Sequence, residues 1–413
     1  MKSRAEITAA YADAYEKATK KDKGLILDQV CSVTSWSRDN ARRRLTQKAS
    51  RQRGPVTNPV VRKPKPFKYS YDARKVLQQV WAWSGGMCGE YLAVEMTQLL
   101  DSLEAHGILP GRNRRYTLEV RTELESMSSA TINRYLKPVK DGDPIRGKTT
   151  TKPGTLLRQS ITIRKAGDEV ENEPGFFEMD TVAHCGPTLK GEFVRSVNFT
   201  DVNIGWVITR AIRNNAHVHI LAALKAAEKA IPYQIQGLDA DNGSEFLNYR
   251  VIAWAGERDI YFTRSRPYRK NDQATIESKN NHVVRRYGYY YRYDTPEELK
   301  LLNQLWQLVN DRLNYFTPTK KPIGWTTDRL GRRKRVYDKP RTPYQRLIDA
   351  HVLSPAQEAD LAAKKATLNL DTIARKIDAI QQRLTLLAGT KTADLKARQT
   401  KPLPDPSGIK LTT

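Results

Sequence analysis

Cysteine is scarce in this chain: Cys31, Cys88 and Cys185 are the only three in 413 residues. They are too few and too scattered for a disulfide framework or a four-ligand zinc site, and no Cys-x-x-Cys pair occurs. Acidic residues are also in short supply, with 45 Asp or Glu against 70 Lys or Arg, a net charge of +25. That excess, spread along the chain, points to a polyanionic partner such as nucleic acid or an acidic membrane surface. Long apolar runs are absent. No window approaches the roughly 18 residues of a membrane-spanning helix, and the opening Met1-Lys2-Ser3-Arg4-Ala5-Glu6 has no apolar signal segment, so a cytoplasmic protein without a membrane partner is expected. What the chain does have is 39% hydrophobic residues, including seven Trp, enough to fold.

The first 50 residues show helical periodicity in two stripes, Ile7, Ala10, Tyr11, Ala14 and Tyr15, then Leu25, Ile26 and Val30. Ser37 is a good N-cap for a third, arginine-dense helix. The spacing reads as a helix-turn-helix over 1–50 in which Arg38, Arg42, Arg43 and Arg44 meet phosphates or base edges. The alternative is one solvated face of a small helical hairpin. Residues 1–66 hold 16 Lys or Arg against 6 Asp or Glu, which favours DNA. A proline-rich basic linker (51–66) leads to a second helical block (67–140), whose last helix begins in Ser128-Ser129 and carries Asn133 and Arg134 outward, as a recognition helix or as a plain core helix.

Residues 141–170 read as another basic linker, with an alternating Ile161–Arg164 stretch suited to an edge strand. From 171 the texture becomes that of a mixed α/β sheet: strands near 176–182, 193–201, 205–212, 235–241 and 260–263, and helices over 215–230, 247–257 and 274–287. Residues 317–352 form a basic module, either DNA-contacting or a strapped loop. A helix over 353–388 follows, with Leu370, Ile373, Ile377, Ile380, Leu384 and Leu387 as a heptad seam that would pair protomers or pack back on the core. Residues 389–413 are expected to be a disordered tail.

Three acids stand where element ends would gather them. Asp180 closes an apolar strand, Asp241 precedes the Asn242-Gly243 reversal, and Glu277 lies early in a helix, 35 residues after Asp241. The segments Phe177–Gly186, Leu238–Phe246 and Ser265–Glu277 resemble the signature segments of the Asp-Asp-Glu integrase and transposase family, in particular bacterial insertion-sequence transposases. The resemblance covers roughly residues 171–316. It implies an RNase H-like mixed-sheet catalytic core between helix-turn-helix regions and a helical C-terminal tail. The His-His-Cys-Cys zinc module of retroviral members is missing.

The resemblance further implies that Asp180, Asp241 and Glu277 are at once catalytic and metal-binding, holding two Mg²⁺ ions, with Mn²⁺ able to substitute. An all-carboxylate site suits that hard ion, and paired ions serve in-line phosphodiester transfer. The expected reaction is cleavage at the ends of a mobile element, then attack of the freed 3′ hydroxyl on target DNA. Its partners are double-stranded DNA and further copies of the chain in a nucleoid-associated DNA complex. Asp239 and Glu178 are weaker substitutes in register, Asp201 reads as a turn acid, and His184 and Cys185 as loop or core. Arg264, Arg266, Arg269 and Lys270 before the Glu277 helix, with Lys279, Arg285 and Arg286 on it, are a dense basic set that phosphates would relieve. The tyrosines from 287 to 293 would stack on bases or form a packing seam. A nuclease that only hydrolyses and a non-catalytic DNA-binding regulator are the competing functions.

Overall fold

A computed structural model describes residues 4–52, 67–111, 113–140, 162–164, 173–240, 246, 248–265, 280–327 and 333–399. The chain divides into two compact units, Met1–Phe67 and Lys68–Thr413. In the first, three helices, α1 (Arg4–Lys17), α2 (Lys20–Thr34) and α3 (Arg38–Gln52), surround a small core of Tyr15, Leu27, Val30, Ala41 and Leu45. Thr19 caps α2 by accepting from the Asp22 amide. Ser35 ends α2 in the left-handed conformation at φ 57°, so a three-residue turn separates α2 from α3.

The second unit opens with α4 (Tyr71–Trp83), α5 (Gly89–Ala105), α6 (Leu118–Glu125) and α7 (Ser129–Lys140), packed through Leu77, Val80, Leu92, Met96, Leu100, Leu124 and Leu136. Glycine is required at Gly89, where a Cβ would stand 2.5 Å from the Ser129 carbonyl of α7.

A six-stranded sheet follows. Its strands are β1 (Thr162–Arg164), β2 (Phe176–Ala183), β3 (Arg195–Asp201), β4 (Val207–Ile212), β5 (Gly237–Ala240) and β6 (Tyr261–Ser265), in the order β1-β6-β5-β2-β3-β4. β1, β6, β5 and β2 run parallel, whereas β2, β3 and β4 are an antiparallel meander. Nearly every β2 and β3 residue is buried, as expected of strands covered on both faces. Two helices accompany the sheet, α8 (His217–Ala230) and α9 (Tyr249–Gly256), and a π-helical segment, Asn280–Arg285, continues into a single turn, Arg286–Gly288.

The outer edge of β4 would expose unpaired backbone groups. It is closed by α10 (Pro296–Phe316), which lays three asparagines along it. The Asn314 carboxamide accepts from Val207 N and donates to Val207 O, both at 2.8 Å. Asn310 does the same for Thr209 and Asn303 for Ala211. Spacings of 7 and 4 residues put the three on one helix face.

After α10 come a separate two-stranded ribbon, β7 (Pro322–Thr327) with β8 (Arg333–Tyr337), and helices α11 (Pro343–Asp349), α12 (Pro355–Thr367) and α13 (Leu370–Gln399). Two sequence expectations are corrected here. The helix expected over 353–388 is interrupted at Leu368-Asn369, where Asn369 caps the new start by accepting from the Thr372 amide. The expected disordered tail is helical as far as Gln399, because this stretch docks. Lys391 donates to Glu298 and Asp294, and Thr392 accepts from the Arg292 amide. Leu370, Ile373, Ile377 and Leu384 are buried in the chain's own core, so that part of the heptad seam is occupied within the protomer.

Candidate active site

Asp180 lies on β2, the strand between the parallel and antiparallel halves of the sheet. It does not end that strand, as the sequence suggests: β2 continues to Ala183, paired with β3. The described pairing of β2 with β5 stops at Met179 opposite Ala240. Asp180 is thus the residue after the last described β2–β5 pair, toward the carboxyl ends of the parallel strands, the side on which open α/β sheets place their chemistry.

Two amide donors orient the Asp180 carboxylate. The Thr181 backbone N–H donates to one oxygen and the Asn280 side chain to the other, each at 2.6 Å. Asn280 is itself held by Asn198, which pairs from β3 with Asp180 and donates to the Asn280 oxygen at 3.4 Å. Asn198 in turn accepts from Thr209 Oγ at 3.1 Å. A relay of neutral groups thus runs from β4 through β3 and the π-helical segment to one carboxylate, the kind of outer support that fixes a metal ligand. Neither Asn198 nor Asn280 stands out in the sequence, since the side-chain order becomes visible only once β2, β3 and β4 are in register.

Asp241 and Glu277 lie outside the described residues, and so do Arg266, Arg269, Lys270 and Lys279. In the sequence Asp241 directly follows Ala240, and Glu277 precedes Asn280 by three residues. Among the described residues, no group of three metal-ligating side chains occurs.

The neighbouring acids have structural partners. Asp239 is fully buried and accepts from Thr263 Oγ at 2.7 Å. Glu178, opposite it in the register, is also buried. Asp201 is a hub for four donors: the amides of Gly175, Asn203 and Ile204, and the Tyr233 hydroxyl. Burial nevertheless raises its pKa to about 6. His184 is enclosed by Tyr293 and Trp306 and bonded to Ser196 Oγ, and burial holds its pKa well below the ordinary histidine value.

The basic residues separate into groups. Arg38, Arg42, Arg43 and Arg44 are all exposed on α3, where Arg38 pairs with Asp28, Arg42 with Asp39, and Arg44 lies over Trp36. Arg134 is exposed on α7, whereas the Asn133 oxygen accepts from the Gly89 amide at the start of α5 and from Lys140. Arg285 and Arg286, expected in the basic set that phosphates would relieve, instead have partners within the chain, which corrects that expectation. Arg285 is half-buried over the Tyr290 ring, with its pKa lowered chiefly by burial. Arg286 donates to the carbonyls of Gly85 and Gly86, because a charged group this close to two bare backbone carbonyls satisfies them better than solvent can. Arg264 contributes its backbone to β6 opposite Ala240. The tyrosines form a packing seam of edge-to-face rings through Tyr289, Tyr291 and Tyr293. A cleft of about 560 Å³ beside Pro174 and Gln236 opens at the other end of β2 and β5 and contains none of the expected catalytic acids.

Residues 171–270 match the model of the integrase core domain. Over 323 residues the chain is 33% identical to y4rM, an uncharacterized protein of Sinorhizobium fredii, covering 78% of this chain and 88% of that one. It is also 25% identical over 195 residues to the transposase of insertion sequence element IS4351 of Bacteroides fragilis, 46% of this chain and 57% of that relative. The chain belongs to the integrase and transposase family. Two solved integrase cores are similar to part of it. The catalytic core domain of BIV integrase has a TM-score of 0.30 at 17% identity, covering 43% of this chain and 95% of that one. The HTLV-2 integrase catalytic core, solved in complex with magnesium, has a TM-score of 0.28 at 14% identity, covering 36% and 91%. The family match takes in β2 to β6 with Asp180, Asn198 and Thr209, whereas Asn280 and α10 with its asparagines lie beyond the matched residues.

Proposed function

We propose that the chain is a transposase or integrase that cuts the ends of a mobile element and joins them to target DNA. The observation that carries this is the position of Asp180 on the central strand of an integrase-type sheet, with Asp241 one peptide bond past the last described β5 pair. Asp180, Asp241 and Glu277 would hold Mg²⁺, with Mn²⁺ able to substitute. The fit rests on the donor chemistry: hard carboxylate oxygens, one of them oriented by two amides, suit a hard cation. Bound there, the ions would neutralise charge on the scissile phosphate.

The chain's own residues do the rest. Asn280 and Thr181 fix the Asp180 carboxylate, and Asn198 fixes Asn280. Water opens a phosphodiester at the element end and leaves a 3′ hydroxyl. That oxygen then attacks a target phosphorus, forming a new P–O bond as the target's own 3′ oxygen departs. No protein nucleophile takes part. The first unit would act as a helix-turn-helix domain, a reading supported by its three-residue turn and by the exposed arginines of α3, with residues 67–140 as a second DNA-binding domain. Arg264, Arg266, Arg269, Lys270 and Lys279 would line the path of the DNA, and the working form would be a homo-oligomer bridging two ends.

The test incubates purified protein with Mg²⁺, labelled duplexes from the two borders of its own genetic locus and a supercoiled target, beside Glu277→Gln. Joined products from wild type alone support the reading. Cleavage without joining would replace it by a nuclease, and bound but unreacted DNA by a regulator.

A further inference from the structure

The β7–β8 ribbon is the one sheet of the described chain with no core on either face. Every β7 and β8 residue except Gly324 and Val336 is exposed, and Ile323, Trp325 and Tyr337 stand 65%, 55% and 47% open to solvent. Two strands alone are marginal in water, and exposed large apolar side chains on them mark a surface meant to be covered.

The register sorts the side chains. Trp325 pairs with Arg335 and Thr327 with Arg333, so Trp325, Arg333 and Arg335 share a face, and Lys334 occupies the opposite one. Both guanidiniums lie over the indole, Arg333 at 4.9 Å and Arg335 at 5.2 Å from its centroid. Neither strand contains an acidic residue.

The root, by contrast, is fixed. Thr319 and Arg341 exchange backbone hydrogen bonds, Asp338 accepts from the Lys321 amide, and Arg346 bridges Asp338 and the Thr319 carbonyl. A rigid base thus holds out a cationic blade two strands wide.

We infer that this ribbon is a DNA-docking element that enters the major groove of a duplex. Charge selects a polyanion, since three cations in five residues of β8 meet no acid on either strand. Shape selects the duplex, because the major groove admits a two-stranded ribbon and cations on both faces reach the phosphate walls on either side. The Trp325 face supplies apolar contact between them. The inference takes the identity of the polyanion from the transposase reading, and it adds a contact outside the matched core.

The test uses the full chain in EDTA, where no joining occurs, and follows fluorescence anisotropy of a 30-bp duplex and of a 30-nucleotide single strand from 50 to 300 mM NaCl. Arg333→Ala with Arg335→Ala should weaken duplex binding at least tenfold at 150 mM salt and lower the salt slope by about 2, one phosphate contact for each arginine. Trp325→Ala should weaken binding with the slope unchanged. Unaltered thermal melting, expected because these side chains are exposed, certifies the fold, and Arg383→Ala controls for loss of a remote charge. Unchanged duplex affinity and slope in the double variant, or a loss seen only with the single strand, would overturn the ribbon while leaving the transposase reading intact. Wild type that binds no DNA would overturn both.

Discussion

Asp201 offers a sharp test of how burial and hydrogen bonding compete in the core. Four donors converge on its carboxylate, which favours the charged form, yet complete burial dominates and lifts its pKa from 3.8 to about 6. A folded-state pKa above the unfolded one means that the native chain takes up the proton more readily. The stabilisation is therefore fully present below pH 3.8 and is lost as pH rises through about 6. The displacement corresponds to about 3 kcal/mol. Asp201→Asn removes the titration, at a constant cost of about 1–3 kcal/mol, since the Asn amide would face the Gly175 N–H now 2.7 Å from Oδ2. Urea unfolding of both proteins at several pH values from 4 to 7.5 isolates the effect, because other titrating groups cancel in the difference. The wild-type advantage should be largest near pH 4 and shrink by about 2 kcal/mol by pH 7.5, because part of the full displacement is already lost at pH 4. A pH-independent difference, or one that grows with pH, would mean that the four donors outweigh burial and that Asp201 is ionised throughout.

Other perturbations have equally definite outcomes. Asn280→Ala should cut strand transfer about 10- to 100-fold, the worth of one hydrogen bond to a charged group, with little change in melting temperature; equal activity would remove Asn280 from the site. Asn314→Ala leaves the Val207 N–H and C=O without partners at the sheet edge and should cost about 1–3 kcal/mol in urea unfolding. Arg292→Lys keeps the charge but loses the fork that donates to the carbonyls of Cys185, Thr188, Lys190 and Glu192; about 3 kcal/mol of destabilisation and faster proteolysis of that loop should follow. Trp306→Ala, at a fully buried site bonded to Ser196, should cost about 3–5 kcal/mol by calorimetry.

The strands of the core are legible in the sequence because apolar runs such as Phe176–Val182 and Gly205–Ile212 are bounded by turn residues, and the resemblance of the acidic segments leads to the family that the comparisons bear out. What escapes is whatever depends on tertiary docking. Asn303, Asn310 and Asn314 share one helix face in the sequence, but only the docking of that face on β4 gives them their partners. The end of α13 is polar and glycine-bearing, so its order comes from docking contacts such as Lys391 with Glu298 and Thr392 with Arg292. Arg286 looks like a phosphate contact until the Gly85-Gly86 carbonyls are placed beside it. Asn280 has no sequence signature, because its importance comes from reaching Asp180 across 100 residues of chain.

The most direct test of a shared carboxylate site is a crystal structure of the protein soaked in Mn²⁺, with anomalous scattering used to locate the ion. Peaks within coordination distance of Asp180, Asp241 and Glu277 together are predicted, with Asn280 still bonded to Asp180. Peaks elsewhere, or an Asp241 or Glu277 carboxylate turned away from Asp180, would contradict it.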